Sequence, residues 1–365
     1  MLLTPGPTAV PEFVRTAMSS ETLHHRTPEF ENIFKNTREL LLELFDMPEA
    51  VMLASSGTGA MEACVTNLTH KKALTVNSGK FGERFGKICD AHSVAYTEIK
   101  HEWNTPVSID EIVLAIQNDS EIDTVFVQIC ESAGGLRHPV EEIAKAVKAI
   151  NKDIIIVADG ITAIGVEKID TTNIDAIITG SQKALMLPPG LAMIGFSNDA
   201  VAKIEKKSSG YYFNLATEIK KQKTNTTAWT AATTLIIGLE SILSRLKEIG
   251  FENLYTKTAK RAEATREAYK AIGLEVYPHN PANAMTTIYT EDSNAIRKIL
   301  KEKYNLNIAG GQDHLKGKIF RVNHMGLVAD YEACWAVNAV EKALDDLGIR
   351  TFDGTANKIF MEMNK

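Results

Sequence analysis

The sequence contains no run of about 18 consecutive apolar residues, so it offers no membrane-spanning helix. It has no basic excess either. Forty Lys and Arg stand against 46 Asp and Glu, a formal charge of −6. Such a chain carries no electrostatic footprint for nucleic acid. Cysteine is scarce: Cys64, Cys89, Cys130 and Cys334 are widely spaced, with no CxxC. That spacing argues against a zinc site or a disulfide framework, and for buried free thiols in a reducing cytoplasm. The opening residues, MLLTPGPTAV, lack a basic stretch followed by an apolar core, so they do not read as a signal peptide. Internal repeats, low-complexity tracts and long linkers are also missing. These absences leave a cytoplasmic globular protein with no nucleic-acid, membrane or metal partner.

What is present is enough apolar residue for a large core, 44% of 365 residues. That length implies about two domains. The first two-thirds alternates short apolar runs with amphipathic stretches. Candidate strands are Val51–Ala54, Ala73–Val76, Val94–Ile99, Thr124–Ile129, Ile154–Ala158, Ala176–Thr179 and Ala192–Phe196. They are rich in Val and Ile and mostly apolar throughout, as strands covered on both faces should be. Helical patterns lie between them. Pro139–Asn151 puts Val140, Ile143, Ala144, Val147 and Ile150 on one face; Pro28–Phe45 does the same with Phe30, Ile33, Phe34, Leu41 and Leu44. This alternation implies an α/β fold with a mainly parallel sheet. Beyond Thr230 the pattern becomes α+β: long helices to Leu246 and over Phe251–Ile272, strands at Leu274–Tyr277, Ala284–Tyr289 and Lys318–Val322, and helices near Asn294–Tyr304 and Ala329–Leu347. A smaller second domain is expected there, with Asn280–Ala282 as a turn inside it.

Ligands of such sheets sit at the carboxyl ends of the strands. The first run ends in Ser55-Ser56-Gly57-Thr58-Gly59 and opens a helix, which is an anion cradle or simply a tight turn. No Gly-Lys-Ser/Thr follows, so it is not a P-loop. The second run ends near Phe81, set between Gly79 and Gly82, a ring stacker or a core residue. The fourth ends in Glu131-Ser132-Ala133-Gly134-Gly135, where Glu131 is a helix cap or an acid near the site. The fifth ends in Asp159, a carboxylate that needs a partner if buried, or a helix cap. The sixth leads into Gly180-Ser181-Gln182-Lys183 among apolar neighbours. Burial would lower the pKa of this lysine and make it a nucleophile toward carbonyls. Anion cradle, aromatic, hydroxyl, Asp and Lys on successive strand ends are the equipment that holds pyridoxal phosphate.

At these residues the chain resembles the class V, fold-type I pyridoxal-phosphate aminotransferases, in the branch of alanine–, serine– and ureidoglycine–glyoxylate aminotransferases. The matching stretches are TPGPTAVP (Thr4–Pro11), HRTPEF (His25–Phe30), SSGTGAMEA (Ser55–Ala63), SGKFGERF (Ser78–Phe85), ESAGGLRHP (Glu131–Pro139), ADG (Ala158–Gly160), GSQKALMLPPG (Gly180–Gly190) and FRVNHMG (Phe320–Gly326). GSQKAL followed by PPG is the most specific. The resemblance implies a seven-stranded, mainly parallel large domain and a smaller α+β C-terminal domain. It divides the chain into an arm at 1–20, a cofactor domain at 21–245 and a small domain at 246–365.

The resemblance also implies roles. Lys183 would form the Schiff base with the cofactor. Asp159 would pair with the pyridine nitrogen, Phe81 would stack on the ring and Ser132 would contact the ring hydroxyl. Ser56, Gly57, Thr58 and Gln182 would hold the phosphate. Arg321 would bind the substrate carboxylate, with the Gly6 backbone nearby. Homodimers with shared sites are implied, and Asn225, Thr227 and Thr230 match a segment that reaches the partner's phosphate. Two residues depart from the pattern: Ala231 stands where relatives usually have proline, and Thr227 where some have tyrosine. Gln182 before the lysine, and no evident reactive cysteine, set aside a cysteine desulfurase. The expected reaction moves an amino group from alanine, serine or a similar amino acid to glyoxylate or pyruvate, in a ping-pong sequence. The alternatives are a 2-aminoethylphosphonate or phosphoserine aminotransferase, disfavoured because no second basic cluster is evident near Arg321, and a non-catalytic relative acting as a binding subunit. His324 and Met325 are open between tuning the pocket and lying in the core or at the surface.

Overall fold

The computed structural model describes residues 1–364. Its first strands are β1 (Glu49–Leu53), β2 (Lys72–Asn77), β3 (Ala95–Lys100) and β4 (Ile122–Gln128). A small hairpin follows, β5 (Cys130–Glu131) with β6 (Leu136–Arg137). Then come β7 (Ile155–Asp159), β8 (Ala176–Gly180) and β9 (Ala192–Phe196). Without the hairpin these seven form one sheet, ordered β1-β9-β8-β7-β4-β2-β3. The β8, β7, β4, β2 and β3 pairings are parallel, while β9 runs antiparallel to both β8 and β1. All seven expected strands are present, their ends moved by at most two residues.

The Val- and Ile-rich strands are apolar throughout because helices cover both faces. β1, β7, β8 and β9 are buried along their whole length. β3 departs from the expectation of two covered faces. It is one of the two edge strands and pairs only with β2; whereas β1 at the other edge is buried, β3 is exposed or half-buried along its length. Its Tyr96, Glu98 and Lys100 suit an edge that must not recruit another strand.

The helix Pro28–Phe45 begins where Thr27 accepts the Phe30 N–H, with Pro28 at the first helical position. It buries Phe30, Phe34, Leu41 and Leu44, with Ile33 half-buried. The helix Val140–Ile150 buries Val140, Ile143, Ala144 and Val147. Ile150 was expected on that face, yet it is 41% exposed. It sits at the last helical position, where the chain turns at Asn151 towards β7.

The second sheet is antiparallel: β10 (Glu275–Val276), β11 (Met285–Tyr289), β12 (Ala309–Gly310) and β13 (Ile319–Asn323), ordered β10-β11-β13-β12. Helices Phe251–Ala271, Ser293–Glu302 and Asp330–Asp346 build a core with it, around Tyr269, Ile288, Phe320 and Val337. A further helix, Thr355–Met363, adds Ala356 and Phe360; it and β12 are absent from the sequence reading. The turn at Asn280–Ala282 does not stay within this second unit. It docks on the β5–β6 hairpin: Arg137 donates its N–H to the Asn280 carbonyl (2.9 Å), and Ala282 donates to Gly135 (2.9 Å).

The N-terminal segment joins the two sheets. Leu3 donates to the Asn307 carbonyl and accepts from Asn323 N (2.9 and 3.0 Å). Five residues on, Thr8 donates its N–H to the Gln182 carbonyl (3.0 Å) and its hydroxyl to the Lys183 carbonyl (2.7 Å). That crossing carries Gly6 to the end of β8. Among the described residues, no helix is long and apolar enough to cross a membrane.

Candidate active site

Lys183 stands three residues past β8, in a loop that bends back on itself. Ser181 donates its N–H to Leu191 and its hydroxyl to Pro188 (3.0 and 2.8 Å), and Leu187 donates to Ser181 (2.9 Å). The flanking Ala184 and Leu185 are buried, which holds the lysine inward. Its Nζ donates to the Pro5 carbonyl at 2.6 Å and has no carboxylate within ion-pair distance among the described residues. Burial pulls its pKa down to about 8, partly offset by Cys130; Arg321 lowers it further. A group so placed is neutral for part of its time near neutral pH, as a nucleophilic amine must be. Gly6 adopts φ +113°, and a Cβ there would lie 2.6 Å from Nζ. Only glycine lets the arm pass this closely.

Asp159 ends β7 and is buried; its Oδ1 accepts one hydrogen bond, from Ile161 N at 3.0 Å. Burial pushes its pKa up to about 6, against the pull of that N–H, of Lys183 and of Arg84. A carboxylate this buried with a single donor has acceptor capacity left over.

Ser56 caps the helix Gly57–Leu68 with extended backbone, and its hydroxyl makes no bond to the helix. The first N–H groups of that helix have no intrahelical acceptor. A Cβ at Gly57 would overlap Ile161, so the helix start lies directly against the loop after Asp159. Thr58 accepts a hydrogen bond from Arg84 Nη1 (2.8 Å). Gln182 is half-buried, and its Oε1 is buried without a partner.

Phe81 is half-buried in the first turn of the helix Lys80–Ala91. Glu131 resolves its two readings into both at once. It is fully buried and caps that helix from the neighbouring strand end: Oε2 accepts from Phe81 N and Gly82 N (3.0 and 2.9 Å), Oε1 from Ala133 N (2.9 Å). Burial pushes its pKa up to about 7, opposed by those three N–H groups. Ser132 is buried, and its carbonyl accepts from Arg321 Nη1 (2.5 Å).

Arg321 lies on β13 and reaches across from the second sheet. Its Nε and Nη2 donate to the Gly310 carbonyl (3.1 and 2.6 Å). Guanidinium has five N–H groups, so these three bonds leave one on each terminal nitrogen. Burial lowers its pKa to about 10, opposed by Glu131, and it remains a cation at neutral pH.

Other residues settle elsewhere. His324 is fully buried, with Nε2 2.8 Å from the Thr286 hydroxyl, and burial holds its pKa far down; Met325 is buried too. Both are core, not pocket. Thr230 is exposed and lines a surface cavity with Ala54, Tyr212 and Trp229; Thr227 is buried, its hydroxyl bonded to the Trp229 carbonyl. Neither shares a hydrogen bond with the residues around Lys183 among the described residues. Cys64, Cys89 and Cys130 are buried thiols as expected, while Cys334 is half-buried. No second basic cluster near Arg321 is evident in the sequence. The structure seats Arg297 on Gly310 so closely that a Cβ there would overlap its guanidinium, and Arg297 acts electrostatically on Arg321. Helix position 297 and strand position 310 are neighbours only in space. Arg84 and Arg297 have no role readable from the sequence for that reason, and the two readings of Glu131 are separable only in space.

Tested against this donor set, pyridoxal phosphate fits. The site holds a buried lysine of lowered pKa, a buried carboxylate with spare acceptor capacity, an aromatic ring at a helix start and a free helix N-terminus. The fold and site together define a fold-type I pyridoxal-phosphate enzyme. Comparison with known proteins narrows this. The family model described as "Aminotransferase class-V" matches residues 5–336. The chain is 47% identical over 363 residues to an uncharacterized aminotransferase of Helicobacter pylori, covering 99% of this chain and 98% of that one. It is 31% identical to a serine–glyoxylate aminotransferase of Hyphomicrobium methylovorum, covering 95% and 90%. The solved aspartate aminotransferase of subgroup IV from Thermus thermophilus superposes with a TM-score of 0.87 at 28% identity, covering 99% of each chain. The chain belongs to the class V aminotransferase family. It is a pyridoxal-phosphate-dependent transaminase acting on an amino acid and a keto acid.

Proposed function

We propose that the chain transfers the amino group of a small amino acid such as alanine or serine to glyoxylate or pyruvate, in two half-reactions at one site. The observation that carries this is Arg321, whose two remaining N–H groups form a fork for one α-carboxylate. Donor and acceptor both bear that group and use the fork in turn. The serine–glyoxylate relative supports the choice of acceptor.

Pyridoxal phosphate, when bound, supplies an electron-accepting ring that stores the amino group between half-reactions. The chain's own residues do the rest. Lys183 would hold the cofactor through its aldehyde and would move a proton at the substrate's Cα. Asp159 would hold a proton on the ring nitrogen. Phe81 would pack on the ring, and Ser132 would meet its hydroxyl. Ser56, Gly57, Thr58 and Gln182 would hold the phosphate at the helix start. Gly6 keeps the backbone close enough to Lys183 to line the substrate side. Thr227 is buried with its hydroxyl on the Trp229 carbonyl, whereas Thr230, with Asn225, would face the phosphate of a second copy in a homodimer with shared sites. Its exposure beside Tyr211 and Tyr212, 79% and 47% exposed, supports that placement. The division into 1–20, 21–245 and 246–365 remains a proposal, supported by the seven-stranded sheet lying in the second segment and the four-stranded sheet in the third, although the helix Thr233–Ile249 runs through the 245/246 boundary.

A second reading has an observation behind it. Arg297 beside Arg321 suits a substrate with a second acidic group, as in an amino dicarboxylate or the phosphonate and phosphoserine alternatives. A donor panel with glyoxylate, pyruvate and 2-oxoglutarate separates the two. Alanine and serine turn over fastest under the first reading, aspartate or phosphoserine under the second. Lys183→Ala removes the lysine–cofactor absorbance band and all transfer while the protein stays folded; a variant with undiminished turnover ends the assignment.

A further inference from the structure

Arg84 lies one turn after Phe81 on the helix Lys80–Ala91. Its guanidinium does three things at once. Nη1 donates to the Thr58 hydroxyl at 2.8 Å. Its Cζ lies 4.7 Å from the centre of the Phe81 ring, a cation–π distance. Its charge also acts on the buried Asp159 carboxylate, which lies at the end of a different strand. No carboxylate forms an ion pair with Arg84 among the described residues, so this cation is not spent on an ordinary surface salt bridge.

The two groups it touches and the one its charge acts on come from three separate strand ends. Thr58 belongs to the helix after β1, Phe81 to the helix after β2 and Asp159 to β7. Each is placed in the cofactor site by the reading above, on which this inference rests. We propose that Arg84 is a positioning residue for the cofactor: it fixes the Phe81 ring against the anion cradle and keeps a positive charge beside Asp159.

The physical need is specific. Phe81 is only half-buried and has no polar handle, so packing alone does not fix its plane. A guanidinium on the ring, anchored at its other end by Thr58, removes that freedom. Asp159 must stay ionised to hold a proton on a ring nitrogen, yet burial works against its charge. Lys183 cannot serve as its permanent counter-ion, because its nitrogen would be committed to the cofactor's aldehyde and then to catalysis. Arg84 keeps its charge throughout, since guanidinium does not deprotonate at working pH.

The test measures cofactor binding apart from turnover. Apo-protein is titrated with pyridoxal phosphate, following protein fluorescence and the lysine–cofactor absorbance. Arg84→Met should weaken binding about tenfold or more and shift that absorbance band, with KM for the amino donor little changed. Arg84→Lys should recover much of the affinity, because charge is restored although the planar stack is not. Circular dichroism confirms that both variants fold. If Arg84→Met binds as wild type does, with an unshifted band, the inference is overturned while the cofactor site stands. Equal loss in Arg84→Met and Arg84→Lys with an unshifted band also overturns it, since charge then plays no part. If wild-type protein fails to take up pyridoxal phosphate, or Lys183→Ala keeps the band, the underlying reading fails instead.

Discussion

Replacing Asp159 by asparagine keeps the shape and removes the charge. In the loaded enzyme the amide cannot hold a ring-nitrogen proton, so kcat should fall by about a hundredfold or more. A near-normal rate would show that Asp159 only shapes the turn through Ile161. The apo-protein gives an independent check. The folded pKa of Asp159 is raised to about 6 from 3.8. Between those values the folded chain holds a proton that the unfolded chain has lost. Stability from this group is therefore full below pH 3.8 and is lost as pH rises through 6. Asp159→Asn has no such loss, so it should be more stable than wild type at pH 7 by on the order of 1–3 kcal/mol, and not at pH 4. Thermal melts at both pH values measure the difference. Arg321→Lys is the other residue-scale test. A point charge cannot rebuild a fork that also spans Gly310 and Ser132. Losing a charged hydrogen bond should lower kcat/KM about tenfold to a hundredfold in both half-reactions. A loss confined to one half-reaction would mean that donor and acceptor carboxylates do not share it.

At the scale of elements, Glu131 joins the hairpin after β4 to the start of the helix Lys80–Ala91. Three N–H groups share its two oxygens, and Ala133 adjoins the Ser132 carbonyl that holds Arg321. One carboxylate thus links the helix that carries Phe81 to the loop that holds Arg321. Glu131→Gln keeps one acceptor oxygen and turns an NH2 group toward backbone donors. Chemical denaturation should show a loss of about 1–3 kcal/mol, the cost of unsatisfied buried N–H groups. Cofactor affinity and KM should both worsen, because Phe81 and Ser132 move together. A variant with native stability and native KM would show that the loop closes without the carboxylate.

Across the whole molecule, the proposed cofactor site lies where the seven-stranded sheet, the four-stranded sheet and the N-terminal segment meet. Lys183 comes from the first, Arg321 from the second, and Pro5 and Gly6 from the third. A ligand held there stabilises the fold by mass action, about 2.7 kcal/mol at a hundred times its dissociation constant. Removing pyridoxal phosphate should therefore lower Tm by several degrees, and re-adding it should restore the loss. In Lys183→Ala, without the covalent link, the increment should shrink sharply. An unchanged Tm on removal would mean that these three parts do not meet around the ligand.

By itself the sequence determined the strands and the order of chemistry along them. Strands covered on both faces must be continuously apolar, so β1, β7, β8 and β9 announce themselves, and the residues after β1, β7 and β8, which point the same way, must sit at the ligand-bearing edge. Ser56, Asp159 and Lys183 were legible on those grounds, and the family resemblance added Arg321 and Gly6. Contacts between elements were not legible, because they depend on how separate segments pack. Only the tertiary structure put Arg84 between Phe81 and Thr58, turned Glu131 onto the Phe81 helix and seated Arg297 on Gly310. It sent His324 into the core, where Thr286 receives it, and left β3 at the edge. Local patterns encode which face of a strand or helix is buried; long-range packing chooses which charges face one another across it.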